Sequence, residues 1–129
     1  MESGALGKEY REGEIIVRQG DEGNCMFVVQ DGQVEVVMAG DGREKRLAVL
    51  GQGEFFGEMA IFDKKPRSAT VRALSNARVL SVDKRNFLTR IHEDPSIAFR
   101  LVQTMSRRIR DLNEELARYK DLDPTNRQQ

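Results

Sequence analysis

The chain has 129 residues, a length that supports one hydrophobic core and not two. With 39% apolar and 33% charged residues it has the composition of a globular protein, which excludes wholesale disorder. Lys plus Arg and Asp plus Glu balance at 21 each, which argues against a surface that coats nucleic-acid phosphates but not against one small anion in a local pocket.

The opening stretch, MESGALGKEYREGE, has no apolar core. It is read as an N-terminal segment over residues 1–10, not as a signal peptide. From 11 to 82 the chain is punctuated by Gly13, Gly20, Gly23, Gly32, Gly40, Gly42, Gly51, Gly53 and Gly57, and glycine supplies the positive φ of tight turns. Between these glycines, strands are predicted over 14–18, 26–30, 33–38, 45–50, 68–74 and 77–82. In 33–38, Val34, Val36 and Met38 fall on one face, the pattern of a half-buried strand. Many short strands at this spacing predict a barrel, a sandwich or a jelly roll.

After Val82 the period becomes helical. Asp83 is a candidate cap for a helix showing Phe87, Leu88 and Ile91 on one side. Asp94-Pro95 marks a second start, with aspartate as N-cap and proline at the first helical position. From there Ile97, Leu101, Met105, Ile109, Leu112, Leu116 and Tyr119 form one apolar stripe on a helix of roughly 25 residues. Helices are thus expected over 83–120, and the polar stretch 121–129, which contains Pro124, is expected to be a flexible tail. The stripe suits packing on the domain's own strands, and its 4-3-4-3 spacing equally suits the seam of a two-stranded coiled coil.

The chemistry concentrates in GEFFGEMAIFDKKPRSATV, residues 53–71. Phe56-Gly57-Glu58 leads from a strand into a single helical turn, Met59 to Phe62. Gly57 allows close approach of a ligand, and the N–H groups after it are expected to point outward as an anion site. Glu58 sits among apolar residues, where a carboxylate can accept hydrogen bonds from a hydroxyl pair. Arg67 follows Pro66 and is expected to open a strand, offering a planar fork that matches phosphate oxygens, with the Ser68 hydroxyl beside it.

This segment resembles the phosphate-binding cassette of the cyclic-nucleotide-binding domain family, the sensor domain of the cyclic-AMP receptor protein and FNR-like regulators. The family pattern F-G-E-x-A, a short loop, then R-[ST]-A-[TS]-V reads here FGEMA, IFDKKP, RSATV. A second family signature reads GDEGNCMFVVQDGQVEV at 20–36, and DPSIAFRLVQTMSRRIRDL resembles the family's long C-terminal helix. The resemblance covers residues 11–118. Two linked signatures in order are far more specific than a lone glycine motif.

The resemblance implies a mainly β fold with helices, an antiparallel β-roll (a double-stranded jelly roll) followed by a long C-terminal helix. It implies a cyclic nucleotide as ligand, cyclic AMP being expected and cyclic GMP the alternative. Gly57, Met59 and Ala60 match positions whose backbone lines the sugar-phosphate. Glu58 matches the ribose 2′-hydroxyl acceptor, Arg67 the phosphate partner and Ser68 an auxiliary donor, with Ala69 next in the motif. Leu47 and Leu50 fall where the family sets apolar side chains against the base. The positions that read the base from the long helix are Leu112 and Asn113, where the cyclic-AMP receptor protein has two hydroxyl residues. Asn113 can bond a base edge and Leu112 cannot, which leaves the base open. The resemblance further implies a homodimer through the C-terminal helix.

Elsewhere the residues read plainly. Cys25 is expected in or near the core, His92 near a helix end at the surface, and Arg107, Arg108 and Arg110 on a solvated face. One cysteine and one histidine leave no ligand supply for a zinc or iron–sulfur site, so no metal is expected. No catalytic constellation is visible, so the chain is not read as an enzyme. A single cysteine and apolar runs far short of the ~20 residues of a membrane helix point to a cytoplasmic protein without a membrane partner. Two alternatives remain: an interaction or dimerisation module with a vestigial pocket, and the sensor fragment of a helix-turn-helix transcription regulator. The second is raised because the family's best-known members carry a helix-turn-helix domain after this long helix; none lies in these residues, which are read as a stand-alone domain or a fragment of a longer protein, and no direct nucleic-acid contact is expected of them.

Overall fold

The computed structural model describes residues 7–121. In chain order these form β1 (Lys8–Tyr10), β2 (Ile15–Val17), β3 (Cys25–Asp31), β4 (Val34–Gly40), β5 (Arg43–Leu50), β6 (Phe55–Phe56), α1 (Met59–Phe62), β7 (Thr70–Ala73), β8 (Ala77–Asp83), α2 (Lys84–Glu93) and α3 (Ser96–Asp121). The chain divides into two units, one ending at Phe87 and the other beginning at Leu88.

The first unit is the expected roll. Two four-stranded antiparallel sheets carry the orders β1-β8-β3-β6 and β2-β7-β4-β5. Because successive side chains in a strand point to opposite faces, alternate residues fill the interior. Phe27 and Val29 of β3, Phe56 of β6, and Ala77 and Val79 of β8 join Val34, Leu50, Val71 and Ala73 of the second sheet in one buried cluster. Cys25 packs at the margin of that cluster, as expected of a small near-core residue. On the other face of the first sheet, the cross-strand partners Met26 and Val82 are also buried, as are Ile61 of α1 and Phe87 of α2.

The six predicted strands are all present, β6 is the short strand that Phe56 was expected to leave, and β1 is an addition. Lys8–Tyr10 pairs with β8 at a sheet edge, whereas the sequence reading left it in a separate segment over 1–10. Three residues with two charges or polar tips carry no alternation to detect. Residues 1–6 lie outside the described region, and so does the expected tail beyond Asp121.

The half-buried reading of β4 needs correction. Val34 and Val36 do face the core cluster, but Glu35 and Val37 are buried as well, while Met38 is exposed towards the strand's end. Two arginines make the burial of Glu35 tolerable. Its carboxylate accepts from Arg46 Nε at 2.9 Å and from Arg72 Nε at 2.6 Å, and Arg72 also forks onto Glu44 at 2.7 and 3.1 Å. The hydrogen bond from Arg72, reinforced by Arg46, holds the Glu35 carboxyl below its ordinary range despite partial desolvation. A carboxyl lowered in the folded state stabilises the fold above its unfolded pKa, and that stabilisation is lost as pH falls through the folded value. The unfolding free energy of Glu35→Gln is therefore expected to depend less steeply on acid below about pH 4.5 than that of the parent. Denaturant melts across pH 2–5 at about one-unit steps read this slope.

Helix capping follows the sequence. The Asn86 N–H donates to Asp83 Oδ1 at 2.8 Å, closing the start of α2, and Arg90 and His92 lie in that helix's last turn, where a cation favours the dipole. In the second unit, the Ser96 N–H and hydroxyl both donate to Asp94 Oδ1, at 3.1 and 2.6 Å. These bonds hold the Asp94 carboxyl below its usual range. Pro95 sits at the helix entrance, and its carbonyl accepts from the Ala98 N–H at 3.0 Å. Helix α3 then runs for 26 residues.

The apolar stripe on α3 divides along its length. Ile97, Leu101 and Met105 are half-buried, whereas Ile109, Leu112, Leu116 and Tyr119 are exposed, and exposed Val102 extends their line. Val102, Met105, Ile109, Leu112, Leu116 and Tyr119 alternate steps of three and four, the a/d repeat of a coiled coil. No helix among the described residues is long and apolar enough to cross a membrane.

Candidate ligand-binding site

The site grows from the end of β6. Gly57 follows Phe56 with φ +75°, a conformation that costs a side-chain-bearing residue but not glycine. A Cβ there would also stand 2.6 Å from Arg67 Nη1, so both backbone and space require glycine. Glu58 comes next, with helical φ −64° and ψ −25°, and only 7% of it is exposed. Its side chain does not cap the helix that follows.

Helix α1 is a single turn. Ile61 is its buried anchor, while Met59 and Phe62 are exposed, and the Phe62 ring meets Phe87 edge-on at 6.4 Å. The expected outward fan of N–H groups after Gly57 is only partly realised. The Ala60 N–H turns back to the Gly57 carbonyl at 3.2 Å and the Ile61 N–H to the Glu58 carbonyl at 3.0 Å. A turn this short closes on itself, and its own carbonyls are the nearest acceptors.

The chain returns through Pro66 to Arg67. Arg67 does not open β7, which begins three residues later at Thr70. Its backbone is instead clamped to the loop before β3. The Arg67 N–H donates to the Asp21 carbonyl at 2.8 Å, and the Gly20 N–H donates to the Arg67 carbonyl at 2.8 Å. The guanidinium lies across the same loop. Nη2 donates to the Cys25 carbonyl at 2.8 Å and Nη1 to the Gly57 carbonyl at 3.2 Å. Its Cζ is 5.5 Å from the centroid of Phe27, within cation–π range. Phe27 in turn stacks on its cross-strand partner Phe56, with centroids 5.0 Å apart and planes at 13°.

Arg67 is thus fixed by main-chain acceptors and an aromatic face, and its remaining N–H donors are available to an anion. The fold brings Gly57, Glu58, Met59 and Ala60 together with Arg67 at the two ends of one loop. Ser68 is exposed and Ala69 half-buried immediately after Arg67. Leu50 and Leu47 part company: Leu50 is 8% exposed within the core cluster, and Leu47 is 48% exposed at the irregularity where the β4–β5 register shifts. Leu112 and Asn113 are exposed on α3, in the other unit. Among the described residues, no three His, Cys, Asp or Glu side chains cluster as metal ligands.

Sequence reasoning missed the contributions of Gly23, Cys25 and Phe27 to this site. All three lie in the second signature, 20–36, but nothing in the spacing says that this loop seats the arginine. Gly23 was counted as a turn former, yet its φ is not positive, and neither is that of Gly40 or Gly51.

Residues 7–94 match the family described as cyclic nucleotide-binding domain. The chain belongs to this family. It is 35% identical over 108 residues to the cyclic AMP receptor protein of Thermus thermophilus, covering 83% of this chain and 50% of that protein. The crystal structure of the Thermus thermophilus catabolite activator protein superposes with a TM-score of 0.77 at 34% identity, over 85% of this chain and 52% of that one. The EAL enzyme Bd1971 in its cGMP-bound form gives a TM-score of 0.61 at 35% identity, over 81% of this chain and 28% of that chain. The chain spans half or less of the length of the first curated relatives it matches. As a cyclic nucleotide-binding domain, it has the family's β-roll and a long helix after it.

Proposed function

We propose that this cyclic nucleotide-binding domain is a regulatory sensor of cyclic AMP that performs no chemistry of its own. In this reading Arg67 receives the cyclic phosphate with help from Ser68, and Glu58 accepts the ribose 2′-hydroxyl. The backbone of Gly57, Met59, Ala60 and Ala69 lines the sugar-phosphate. Leu47 and Leu50 border the base. Ligand binding favours one arrangement of α3 over others, which is how occupancy is transmitted. The apolar a/d line of α3 pairs two copies of the chain.

The observation that carries the reading is the seat of Arg67. A half-buried guanidinium held by two main-chain carbonyls beside a glycine turn and a buried glutamate is an arrangement suited to an anionic ligand bearing hydroxyls. Energetically the reading is sufficient: hydrogen bonds to charged groups contribute roughly 1.5–3 kcal/mol each, and micromolar binding needs about 8 kcal/mol. Cyclic AMP is favoured over cyclic GMP by the named ligand of the Thermus thermophilus relative. The EAL enzyme Bd1971 is known in both cAMP-bound and cGMP-bound forms, so both ligands belong in the test.

Thermal melting with and without ligand is that test. A ligand at about a hundredfold excess over its Kd stabilises the native state by about 2.7 kcal/mol, on the order of 10 °C in Tm for a chain of this size. Cyclic AMP is expected to give such a shift and cyclic GMP a smaller one. A larger shift with cyclic GMP would reverse the ligand assignment. No shift with either would favour the vestigial-pocket alternative.

A further inference from the structure

We infer that Gly23 is a positioning residue for Arg67, its missing side chain being the space that the guanidinium occupies. The inference rests on the proposed ligand reading for its effect on binding, but not for the geometry.

A Cβ built on Gly23 would lie 2.3 Å from both Nε and Nη2 of Arg67 and 2.4 Å from Cζ. These are the atoms of the charged fork itself. The backbone gives no other reason for glycine, since Gly23 does not have positive φ, unlike Gly20 three residues before it. Gly57 also approaches the fork, but its φ of +75° means that any substitution there mixes backbone strain with lost space. Gly23 separates the two effects. The obstructing atoms belong to the end of a flexible side chain, so the fold can absorb an added methyl group by moving the guanidinium. That movement takes Nη2 off the Cys25 carbonyl and the fork off the Phe27 ring, the contacts that aim its free donors. Preorganised donors bind more tightly than donors that must first be ordered, so displacement weakens binding while the roll stays folded.

The experiment compares the parent, Gly23→Ala, Arg67→Ala and the double variant. Cyclic AMP affinity is read by calorimetry, ligand-free melting by circular dichroism, and the Arg67 Nε–H resonance by NMR. Gly23→Ala is expected to bind cyclic AMP at least tenfold more weakly, to stay folded while melting about 4–7 °C below the parent, and to shift the Arg67 Nε–H resonance. Should Gly23→Ala unfold instead, the double variant is expected to fold again, because removal of the guanidinium opens the space. Binding by Gly23→Ala within twofold of a binding-competent parent would overturn the inference, as would an unmoved Nε–H resonance or a double variant that stays unfolded. If the parent binds no cyclic nucleotide, the ligand reading fails, and the Nε–H comparison still decides whether Gly23 seats Arg67.

Discussion

Arg67→Ala is expected to weaken cyclic-nucleotide binding tenfold or more while leaving the β-roll folded. The affinity loss follows from removing charge-assisted hydrogen bonds worth roughly 1.5–3 kcal/mol each. The fold survives because Arg67 is not itself a member of the core cluster, meeting it only at the Phe27 ring, and its backbone clamps to Asp21 and Gly20 do not depend on the side chain. Loss of the guanidinium leaves the Cys25 carbonyl without that donor, whereas the Gly57 carbonyl keeps the Ala60 N–H. A stability cost of about 1–2 kcal/mol is therefore expected in denaturant unfolding, small beside the effect on binding. Arg67→Lys separates charge from shape. An ammonium can meet a phosphate but cannot also bridge two carbonyls as a planar fork, so its affinity should fall between those of the parent and Arg67→Ala. Equal binding by all three proteins would remove Arg67 from the site.

The second large effect is expected on α3. Ile109, Leu112, Leu116 and Tyr119 are all more than half exposed, an apolar line that a single chain leaves in water. Their three-and-four spacing, begun by Val102 and Met105, is the repeat that two helices bury against each other. Ile109→Asp places a carboxylate in the middle of that seam, where desolvation of an unpaired charge is costly. Sedimentation equilibrium is expected to show a dimer for the parent and a monomer for Ile109→Asp. A monomeric parent, or a variant that remains dimeric, would place the pairing surface elsewhere or nowhere. Ile109 lies outside the residues assigned to the ligand, so cyclic AMP binding to the roll should largely persist in the variant.

Much of this architecture was legible in the residues, for identifiable reasons. The strand positions followed from glycines interrupting short apolar runs, and the helix starts followed from Asp83 and Asp94, whose carboxylates make the expected capping bonds. The candidate cassette stood out because FGEMA and RSATV resemble the family's pattern within one short stretch. What could not be read was long-range. Glu35 looked like the solvated face of β4 because its burial depends on Arg46 and Arg72, each on a different neighbouring strand. The seat of Arg67 is of the same kind: Gly23, Cys25 and Phe27 lie more than forty positions away or close to it, with Cys25 at a separation of 42. Periodicity reports which face of an element is apolar. It does not report which side chain from another strand will cover the other face.

The central claim is that this chain binds one cyclic nucleotide at the Arg67 end of its roll. Isothermal titration of the purified protein with cyclic AMP tests it most directly. The account predicts saturable heat at one ligand per chain with a micromolar Kd, about 8 kcal/mol of binding free energy. Absence of heat with every cyclic nucleotide, at concentrations into the millimolar range, would contradict it.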